Sequence, residues 1–500
     1  MTRVTTSDKR RAESARHTLA PVDTTAFYVA GRAEHGAGEV TVTHPYDGRV
    51  VGRTTWATPE QVEAAVAAAD RVAREAAAML THVRAGALDH VSRRLAERRD
   101  EVAALITAES GKPLKWARTE ADRAASVFRW AAEEARRFSG SLQRLDTDPG
   151  GDGRMAMVTR FPRGPVLGIS PFNFPLNLVA HTVAPALAVG APIVLKPAPA
   201  TPLSALLLGS LLAETDLPAG LFSVLPVPND RASALVADPR LPIVSFTGSG
   251  PVGARIRRSV PDKHVTLELG GNAAALLCAD YGSRIDQEWA ALRIATFANY
   301  QAGQSCIAVQ RVYVPAALYD AFLPRLIAAV EALRTGDPSD PAVDVGPMIS
   351  EDAAKRVEEW VDEAVAAGAS VAVGGKRDGA TYPPTVLTGV PAGAKVLVEE
   401  VFGPVLVVEP VADDAAGFLK INDSAYGLQA GVFTHSLQTA FAAHRQLTVG
   451  GVIIGDVPSY RADQMPYGGV KGSGVGREGV ASAMDDYTEP RVMVLTGVEL

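Results

Sequence analysis

The sequence has few cysteines and little net charge, and both shortages exclude classes of protein. Only Cys278 and Cys306 occur among 500 residues, and neither lies in a Cys-x-x-Cys or histidine spacing. We therefore expect neither a disulfide-stabilised scaffold nor a metal site. The low cysteine content also predicts that the protein resides in a reducing cytoplasm. The formal net charge of −7 argues against nucleic acid or a membrane surface as a partner and favours a small molecule.

A long uncharged run has the composition of a membrane span but not its continuity. Residues 164–195 contain no Asp, Glu, Lys or Arg, and prolines interrupt them at Pro165, Pro171, Pro175, Pro185 and Pro192. A lipid-exposed helix would not tolerate these breaks, so the run is predicted to form a strand, a turn, a helix and a strand. Residues 1–19 lack the apolar core of a secretory signal and are predicted to be a disordered tail.

The remaining patterns predict an α/β protein. Residues 58–138 are alanine-rich and helical, beginning with a capping box in "TPEQ". Short apolar runs then alternate with helical stretches, which is typical of a parallel sheet with ligands at the carboxyl ends of its strands. A second alternating block runs from about residue 280 to 457. The domains predicted are a cofactor domain at 20–140 and 164–271, a catalytic domain at 272–470, and oligomerisation strands at 141–163 and 485–500.

One glycine-rich stretch matches a dinucleotide-binding fingerprint. Gly248, Gly250 and Gly253 have G-x-G-x-x-G spacing in "SFTGSGPVG", and Glu268 lies where that fingerprint places a ribose ligand. A helix beginning there would offer free backbone N–H groups to a pyrophosphate. Glu268 is therefore either a sugar ligand or a group with another task.

Cys306 is the candidate nucleophile. It follows a Gly-Gln-Ser turn and precedes an apolar strand. The alternative is a buried structural thiol, the usual state of a free cysteine. Further motifs in register favour the nucleophile, and they are "GISPFNFPLNL", "VLKPAPATP", "FTGS", "LELGG", "GQSC", "EEVFGPVL" and "PYGGVKGSGVGREG".

With these motifs the chain resembles the aldehyde dehydrogenase superfamily from about residue 20 to its end. The resemblance implies a Rossmann-like parallel-sheet cofactor domain, a second α/β catalytic domain and a small β oligomerisation element. It also implies that Cys306 is the nucleophile, Glu268 the general base and Asn173 an oxyanion donor. Taken alone, Asn173 is equally a turn residue between two prolines, and Glu268 a surface charge at a strand end.

The implied reaction is oxidation of an aldehyde to a carboxylic acid through a thiohemiacetal and a thioester on Cys306. Members that transfer the acyl group to coenzyme A typically lack the glutamate at position 268, so hydrolysis is expected. Two rivals are a cysteine hydrolase or acyltransferase, which needs a histidine near the thiol, and a catalytically silent relative.

The resemblance also implies the cofactor, NAD or NADP. The residues expected to bind it are Ser170, Pro171, Phe172, Lys196, Pro199, Gly248, Ser249, Leu269, Glu400 and Phe402. Pro199 stands where many NAD-preferring members have a glutamate that would repel a 2′-phosphate, so NADP use is open. Lys196 is otherwise a surface lysine.

The side chains expected to bind the aldehyde are Phe174, Leu178, Ser305, Ile307 and Arg461. Arg461 could bind a carboxylate, phosphate or hydroxyl group of the substrate, since guanidinium groups pair with such groups. The alternative is a solvent-facing loop arginine. A homodimer or homotetramer is implied by the same resemblance.

Overall fold

The computed structural model describes residues 23–497, so the predicted tail at residues 1–19 lies outside the described part. The described part begins with two antiparallel strand pairs, β1–β2 and β3–β4, which the sequence patterns did not indicate. Their strands are short and mostly polar or exposed, so they lack the apolar run that marks a buried strand. They are β1 (Phe27–Val29), β2 (Arg32–Glu34), β3 (Ala37–Thr43) and β4 (Val50–Trp56).

A helical layer follows, as the alanine-rich sequence predicts. The capping box forms: the Thr58 hydroxyl accepts from the backbone N–H of Gln61, and the Gln61 side chain accepts from the N–H of Thr58. The buried alanines of these helices let them pack closely against one another and against the first sheet. The helices are α1 (Pro59–Ala78), α2 (Thr81–Glu97), α3 (Arg99–Ser110) and α4 (Leu114–Arg137).

The first large sheet has eight strands in the order β2-β1-β9-β8-β7-β10-β11-β21. Its centre is parallel, with β7 beside β8 and β10, whereas β1, β2 and β21 join as antiparallel strands. The strands not yet given are β7 (Val166–Ile169), β8 (Ile193–Lys196), β9 (Phe222–Val224), β10 (Ile243–Thr247), β11 (His264–Glu268) and β21 (Gly474–Val475).

Helices connect these parallel strands and pack on the sheet. The uncharged run forms β7, then a helix, then β8, which confirms the predicted strand, turn, helix and strand. No helix of the described residues is long and apolar enough to cross a membrane. The connecting helices are α5 (Asn177–Val189), α6 (Leu203–Leu212), α7 (Ala232–Ala237) and α8 (Gly250–Ser259).

The second large sheet has seven strands in the order β14-β15-β16-β13-β12-β18-β19, parallel except where β14 meets β15. Its strands are β12 (Ala274–Leu277), β13 (Arg311–Pro315), β14 (Ser370–Val373), β15 (Thr385–Thr388), β16 (Val405–Val411), β18 (Gln429–Phe433) and β19 (Gly451–Ile454). Its helices are α9 (Arg284–Asn299), α10 (Ala316–Glu331), α11 (Glu351–Ala366), α12 (Lys395–Val398), α13 (Asp414–Asn422) and α14 (Leu437–Gln446).

The chain ends in small elements that tie distant segments together. Strands β17 (Tyr426–Gly427) and β20 (Val470–Lys471) pair, and α15 (Val480–Asp486) precedes the last strand. That strand, β22 (Thr488–Thr496), pairs antiparallel with β6 (Arg154–Pro162), which also pairs with β5 (Ser141–Arg144). The predicted α/β class with two sheets is confirmed, and the proposed oligomerisation segments form a sheet of their own.

Candidate active site

The Cys306 loop has an unusual backbone. After α9 ends, Gln301, Ala302 and Gly303 adopt left-handed φ values of 53°, 51° and 67° in succession. A Cβ at residue 303 would lie 2.1 Å from the carbonyl oxygen of Gly403, so only glycine fits there. Left-handed non-glycine residues cost free energy and persist only where the surrounding structure holds them. The fold therefore imposes this conformation three residues before the thiol.

The loop that carries Asn173 is joined directly to the Cys306 loop. The Asn173 side-chain amide donates to the carbonyl of Gln304 at 2.9 Å, and Gln301 donates its side-chain amide to the carbonyl of Asn173. An asparagine amide has two N–H groups, so one remains available to a ligand. The two loops thus hold each other in register at the thiol.

A buried ion pair supports the Asn173 loop from below. The carboxylate of Glu120 accepts hydrogen bonds from the backbone N–H groups of Leu176 and Asn177 at 3.0 and 3.1 Å. Its other oxygen pairs with Lys112, whose ammonium lies 3.8 Å from the ring centroid of Phe174. Burial lowers the pKa of Lys112 to about 8. This pair was not indicated by the sequence patterns.

The Cys306 thiol opens onto a cavity but is closely surrounded by protein. Its sulfur lies 3.1 Å from the Tyr467 hydroxyl oxygen, and no histidine in residues 23–497 hydrogen-bonds to it. Burial raises the pKa of Cys306 to about 12, partly offset by the Tyr467 hydrogen bond. The thiol is therefore protonated at neutral pH in this structure and needs a proton acceptor to react.

Glu268 is buried, with 4% of its surface exposed, so its alternative as a surface charge is wrong. Neither carboxylate oxygen has a hydrogen-bond partner among the described residues. Burial, followed by the negative charge of Glu478, raises the pKa of Glu268 well above its ordinary value. A buried carboxylate without a partner is typical of functional sites.

Cys306, Asn173 and Glu268 line one cavity of about 840 Å³, within the usual size range of ligand pockets, roughly 300–1,000 Å³. We call the part around these three residues the reactive end. The opposite part, lined by Lys196, Asn229 and residues of α7 and α8, is the distal end. All residues predicted to bind the cofactor line this cavity: Ser170, Pro171, Phe172, Lys196, Pro199, Gly248, Ser249, Leu269, Glu400 and Phe402.

The cavity has features that fit a dinucleotide. Helix α8 begins after Ser249, whose side chain does not cap it, so backbone N–H groups remain free to bind phosphate. At the reactive end Glu400 accepts from the N–H of Gly271 at 2.8 Å, and a Cβ at residue 270 would lie 2.3 Å from its carboxylate. Burial raises the pKa of Glu400 to about 7.

Two aromatic rings meet beside this carboxylate. The rings of Phe172 and Phe402 pack edge to face with centroids 5.9 Å apart, and Phe402 has a left-handed φ of 47°. Both rings line the cavity, where they offer an apolar wall to a flat ring. Arg356, which the sequence patterns missed, lines the same part of the cavity.

The residues predicted to bind the aldehyde are distributed around the thiol, and only Leu178 lines the cavity. Phe174 covers Lys112, Ile307 packs against Cys306 and Tyr467, and the Ser305 hydroxyl lies 2.5 Å from the Tyr300 hydroxyl. Of these residues Ile307 contacts Cys306 itself, whereas Phe174 and Ser305 contact Lys112 and Tyr300.

Arg461 is buried, so its alternative as a solvent-facing loop arginine is wrong. Its side chain is 5% exposed and pairs with Glu478 at 3.0 Å. Its guanidinium carbon lies 3.8 Å from the ring centroid of Tyr467, the residue that contacts the thiol. A cation thus lies one aromatic ring away from Cys306.

Further polar groups that the sequence patterns missed surround this position. Arg123 of α4 pairs with Asp463, and His181 of α5 lies 3.5 Å from the same carboxylate. Several buried atoms here have no hydrogen-bond partner among the described residues, and they belong to Asn177 (Oδ1), His181 (both ring nitrogens), Glu268 and Arg461 (Nε). Burial lowers the pKa of His181 to about 4, so its ring is neutral.

The architecture places Cys306, Asn173 and Glu268 in the wall of one cavity, and comparison with known proteins gives the family. The aldehyde dehydrogenase family model matches residues 32–493. The chain therefore belongs to the aldehyde dehydrogenase family. Its activity is the NAD(P)-dependent oxidation of an aldehyde, and the hydrolase alternative is not favoured.

Individual relatives agree with this membership. The chain is 41% identical to the 3-sulfolactaldehyde dehydrogenase of Priestia aryabhattai, over 95% of this chain and 99% of the relative. It is 36% identical to the NADP-dependent succinate-semialdehyde dehydrogenase of Escherichia coli, over 91% and 94%. Aldehyde dehydrogenase 21 of Physcomitrella patens, solved with the reaction product succinate, superposes with a TM-score of 0.93 at 42% identity, covering 96% and 99%. Similar solved structures include both NAD- and NADP-dependent enzymes.

Proposed function

We propose that this chain oxidises a short aldehyde bearing an anionic group to the corresponding acid, with Cys306 as nucleophile. The observation that carries the proposal is the convergence of Cys306, Asn173 and Glu268 at one end of the cavity. Residues 20–140 and 164–271 would then form the cofactor domain, and residues 272–470 would supply the thiol.

In the first step the sulfur of Cys306 adds to the aldehyde carbon and the thiol proton leaves. Because burial raises the pKa of the thiol, proton transfer to a nearby acceptor must accompany attack. The free N–H of the Asn173 amide and the backbone N–H of Cys306 would stabilise the resulting oxyanion. One such donor contributes about 3–4 kcal/mol to the transition state.

When bound, the nicotinamide would supply the oxidising chemistry by accepting a hydride from the carbon attached to the Cys306 sulfur. The acyl group is then a thioester on Cys306, and water must cleave it. Glu268 lines the cavity beside the thiol and has both carboxylate oxygens without a partner, so it is free to orient and deprotonate that water. The products are a carboxylic acid and the free thiol.

The substrate class follows from the unpartnered polar atoms around Arg461. Buried polar groups normally have partners, so a buried donor without one is explained most directly by a ligand that supplies an acceptor. Arg461 Nε is such a donor, and the guanidinium of Arg123, which pairs with Asp463, adds a second cation, so the region suits a carboxylate or sulfonate. Relatives named for sulfolactaldehyde and succinate semialdehyde support the same choice.

The nucleophile is tested by a matched pair of cysteine variants. Cys306→Ala is expected to lower aldehyde turnover by at least about 10⁴-fold, because no other group forms the thioester. Cys278→Ala should retain turnover, since Cys278 is fully buried in another apolar cluster. Absorbance of the reduced cofactor measures both. Turnover by Cys306→Ala at the wild-type rate would refute the assignment.

The substrate class is tested by comparing succinate semialdehyde with butanal and lactaldehyde. We expect kcat/KM to be highest for the anionic aldehyde and expect Arg123→Gln to reduce that preference. Arg129→Gln is the control, because Arg129 lies exposed on the same helix and forms its ion pair with Glu133. Equal kcat/KM for succinate semialdehyde and butanal in the wild-type enzyme would contradict the proposal.

We also propose that the chain is a homo-oligomer that buries the sheet β22-β6-β5. This sheet exposes apolar side chains, and they are Leu142, Met157, Phe161, Val492, Met493, Val494 and Leu495. An exposed apolar sheet of this kind usually meets a partner. Light scattering should give a mass of at least twice 52.4 kDa, and the double variant Val492→Glu/Val494→Glu should shift it toward one chain.

A further inference from the structure

The Tyr467 hydroxyl touches the reacting atom of the site. Its oxygen lies 3.1 Å from the sulfur of Cys306. Of the two residues, Cys306 lines the cavity and Tyr467 does not, so the hydroxyl meets the sulfur from the protein wall. The cavity side of the sulfur therefore stays open to an aldehyde.

Backbone and side-chain contacts fix the position of Tyr467. Its side chain is buried and packs in one apolar cluster with Ile307 and Leu428. Its backbone N–H donates to the carbonyl of Glu478 at 2.9 Å, and the N–H of Glu478 donates to the carbonyl of Tyr467 at 2.6 Å. The protein thus holds the hydroxyl at the sulfur independently of the contact with the thiol.

The next residue brings the same loop against the candidate base. Gly468 has a φ of 155°, and a Cβ there would lie 2.7 Å from Oε1 of Glu268. Glycine is the residue that permits both this backbone conformation and so close an approach. A substitution that moved the loop would disturb the base as well as the thiol, so a test of Tyr467 has to keep its ring.

The protonation states fix the direction of this hydrogen bond. Burial, followed by the negative charge of the ionised Cys306, raises the pKa of Tyr467 well above its ordinary value, so the phenol keeps its proton at neutral pH. A thiolate has no proton and can only accept a hydrogen bond. Once Cys306 is ionised, Tyr467 is therefore the donor.

Most of the surroundings of the thiol oppose its ionisation. Burial is the main cause that raises the pKa of Cys306 to about 12, and the carboxylates of Glu400 and Glu268 act in the same direction. The Tyr467 hydrogen bond opposes this rise, and so, more weakly, does Arg461. The Arg461 guanidinium carbon lies 3.8 Å from the Tyr467 ring centroid, where its charge strengthens the hydroxyl as a donor.

We propose that Tyr467 is a further catalytic residue, whose hydroxyl donates a hydrogen bond to the Cys306 sulfur whenever that sulfur carries negative charge. This inference rests on the proposed function only in that Cys306 is the nucleophile. Negative charge forms on the sulfur twice in that reaction, before it attacks the aldehyde and when it leaves the acyl group.

Tyr467 keeps its own proton in both steps. In the first step the S–H bond breaks, its proton passes to water, and the electron pair left on sulfur forms the bond to the aldehyde carbon. In the second step water adds to the acyl carbon and loses a proton to Glu268, and the C–S bond breaks with its electron pair returning to sulfur. A hydrogen bond to an ionised acceptor is roughly twice as strong as one to a neutral acceptor, so Tyr467 stabilises the thiolate more than the thiol or the thioester.

The test measures thiolate formation without aldehyde or cofactor, as the rate at which iodoacetamide alkylates Cys306. Every protein carries Cys278→Ala, which leaves Cys306 as the single cysteine of the chain. Tyr467→Phe removes one oxygen and keeps the packed ring, so the fold is retained. Tyr300→Phe is the control, because it removes another buried hydroxyl of the thiol loop, one that contacts Ser305 instead of the sulfur. Mass spectrometry measures the alkylated fraction at pH 8.

Tyr467→Phe should slow alkylation about three- to tenfold, because losing one hydrogen bond to a charged acceptor raises the thiol pKa by roughly one to two units, and the higher nucleophilicity of a more basic thiolate offsets about half of that loss. Tyr300→Phe should react at the rate of the parent protein.

Equal rates for the parent and Tyr467→Phe, a faster rate in Tyr467→Phe, or equal losses in the two tyrosine variants would overturn the proposal. Alkylation involves no oxidation, so a wrong assignment of the reaction would leave these rates unchanged. Failure of the proposed function shows separately, as turnover that persists in Cys306→Ala.

Discussion

The two ends of the cavity differ in the charge of the side chains that line them. The distal end presents Lys196 and Arg255 with no carboxylate, whereas the reactive end contains Glu268 and Glu400 beside the thiol. Burial raises the pKa of both glutamates and of Cys306, so protein surroundings there favour protonated, neutral groups. The distal end therefore carries positive side chains, whereas the ionised forms of three acidic groups are disfavoured at the reactive end.

The largest effect is expected from removing the proton acceptor at the reactive end. Glu268→Gln should lower steady-state turnover by about 10²-fold or more while a single burst of reduced cofactor per active site persists. Rapid-mixing absorbance separates the burst from the steady state. Cofactor affinity at the distal end should not change. Steady-state turnover at the wild-type rate would show that another group activates water.

The next effect is that of the oxyanion donor. Asn173→Ala should lower kcat by about 10²–10³-fold, because the amide stabilises charge that develops in the transition state. The burst should shrink along with the steady state, unlike in Glu268→Gln. Stopped-flow measurements of both variants therefore assign the two groups to different steps, and an unaltered burst in Asn173→Ala would be inconsistent with an oxyanion role.

The third effect is on stability, and it comes from the buried pair of Lys112 and Glu120 beneath the reactive end. Lys112→Met and Glu120→Gln should each destabilise the protein by about 3–5 kcal/mol, because each leaves a buried group unpaired. The double variant should unfold closer to the wild type than either single variant. Denaturant titration measures this cycle, and additive losses in the double variant would argue against direct coupling.

The smallest effect is a pH dependence at the distal end. Burial lowers the pKa of Lys196 to about 8, so the charged form of the lysine is lost as the pH rises through that value. The dissociation constant of NADP should therefore rise about tenfold from pH 7 to pH 9. Lys196→Arg should remove this rise, since arginine stays charged throughout. An unchanged slope in Lys196→Arg would assign the titration elsewhere.

The sequence predicted the α/β class and the central parallel strands of the first large sheet, because apolar runs ending in glycine or proline are local signals. The predicted cofactor residues, all of which line the cavity, came from the resemblance to the family. The fingerprint around Gly248 correctly indicated a helix beginning at a strand end. The match at Glu268 was misleading, since that side chain lies with Cys306 at the reactive end. Spacing along the chain does not say where a side chain points.

What the sequence could not predict arises from contacts between distant segments. Tyr467 lies 161 residues from Cys306 along the chain yet 3.1 Å from its sulfur. Arg123 and His181 come from different helices and meet at Asp463. The sequence left two interpretations of Arg461, a substrate-binding residue or a solvent-facing one. Its burial depends on contacts with Glu478 and Tyr467, which form only when the loop is folded.

At the left-handed turn of residues 301–303, a substitution that stabilises the protein is expected to lower its activity. Ala302→Gly would relieve a φ of 51° that alanine rarely adopts, and so would be expected to raise the melting temperature. The same change would loosen the loop that fixes the thiol against Asn173. A screen for heat resistance alone would therefore favour substitutions here that cost catalysis, so engineering this chain requires selection for both properties at once.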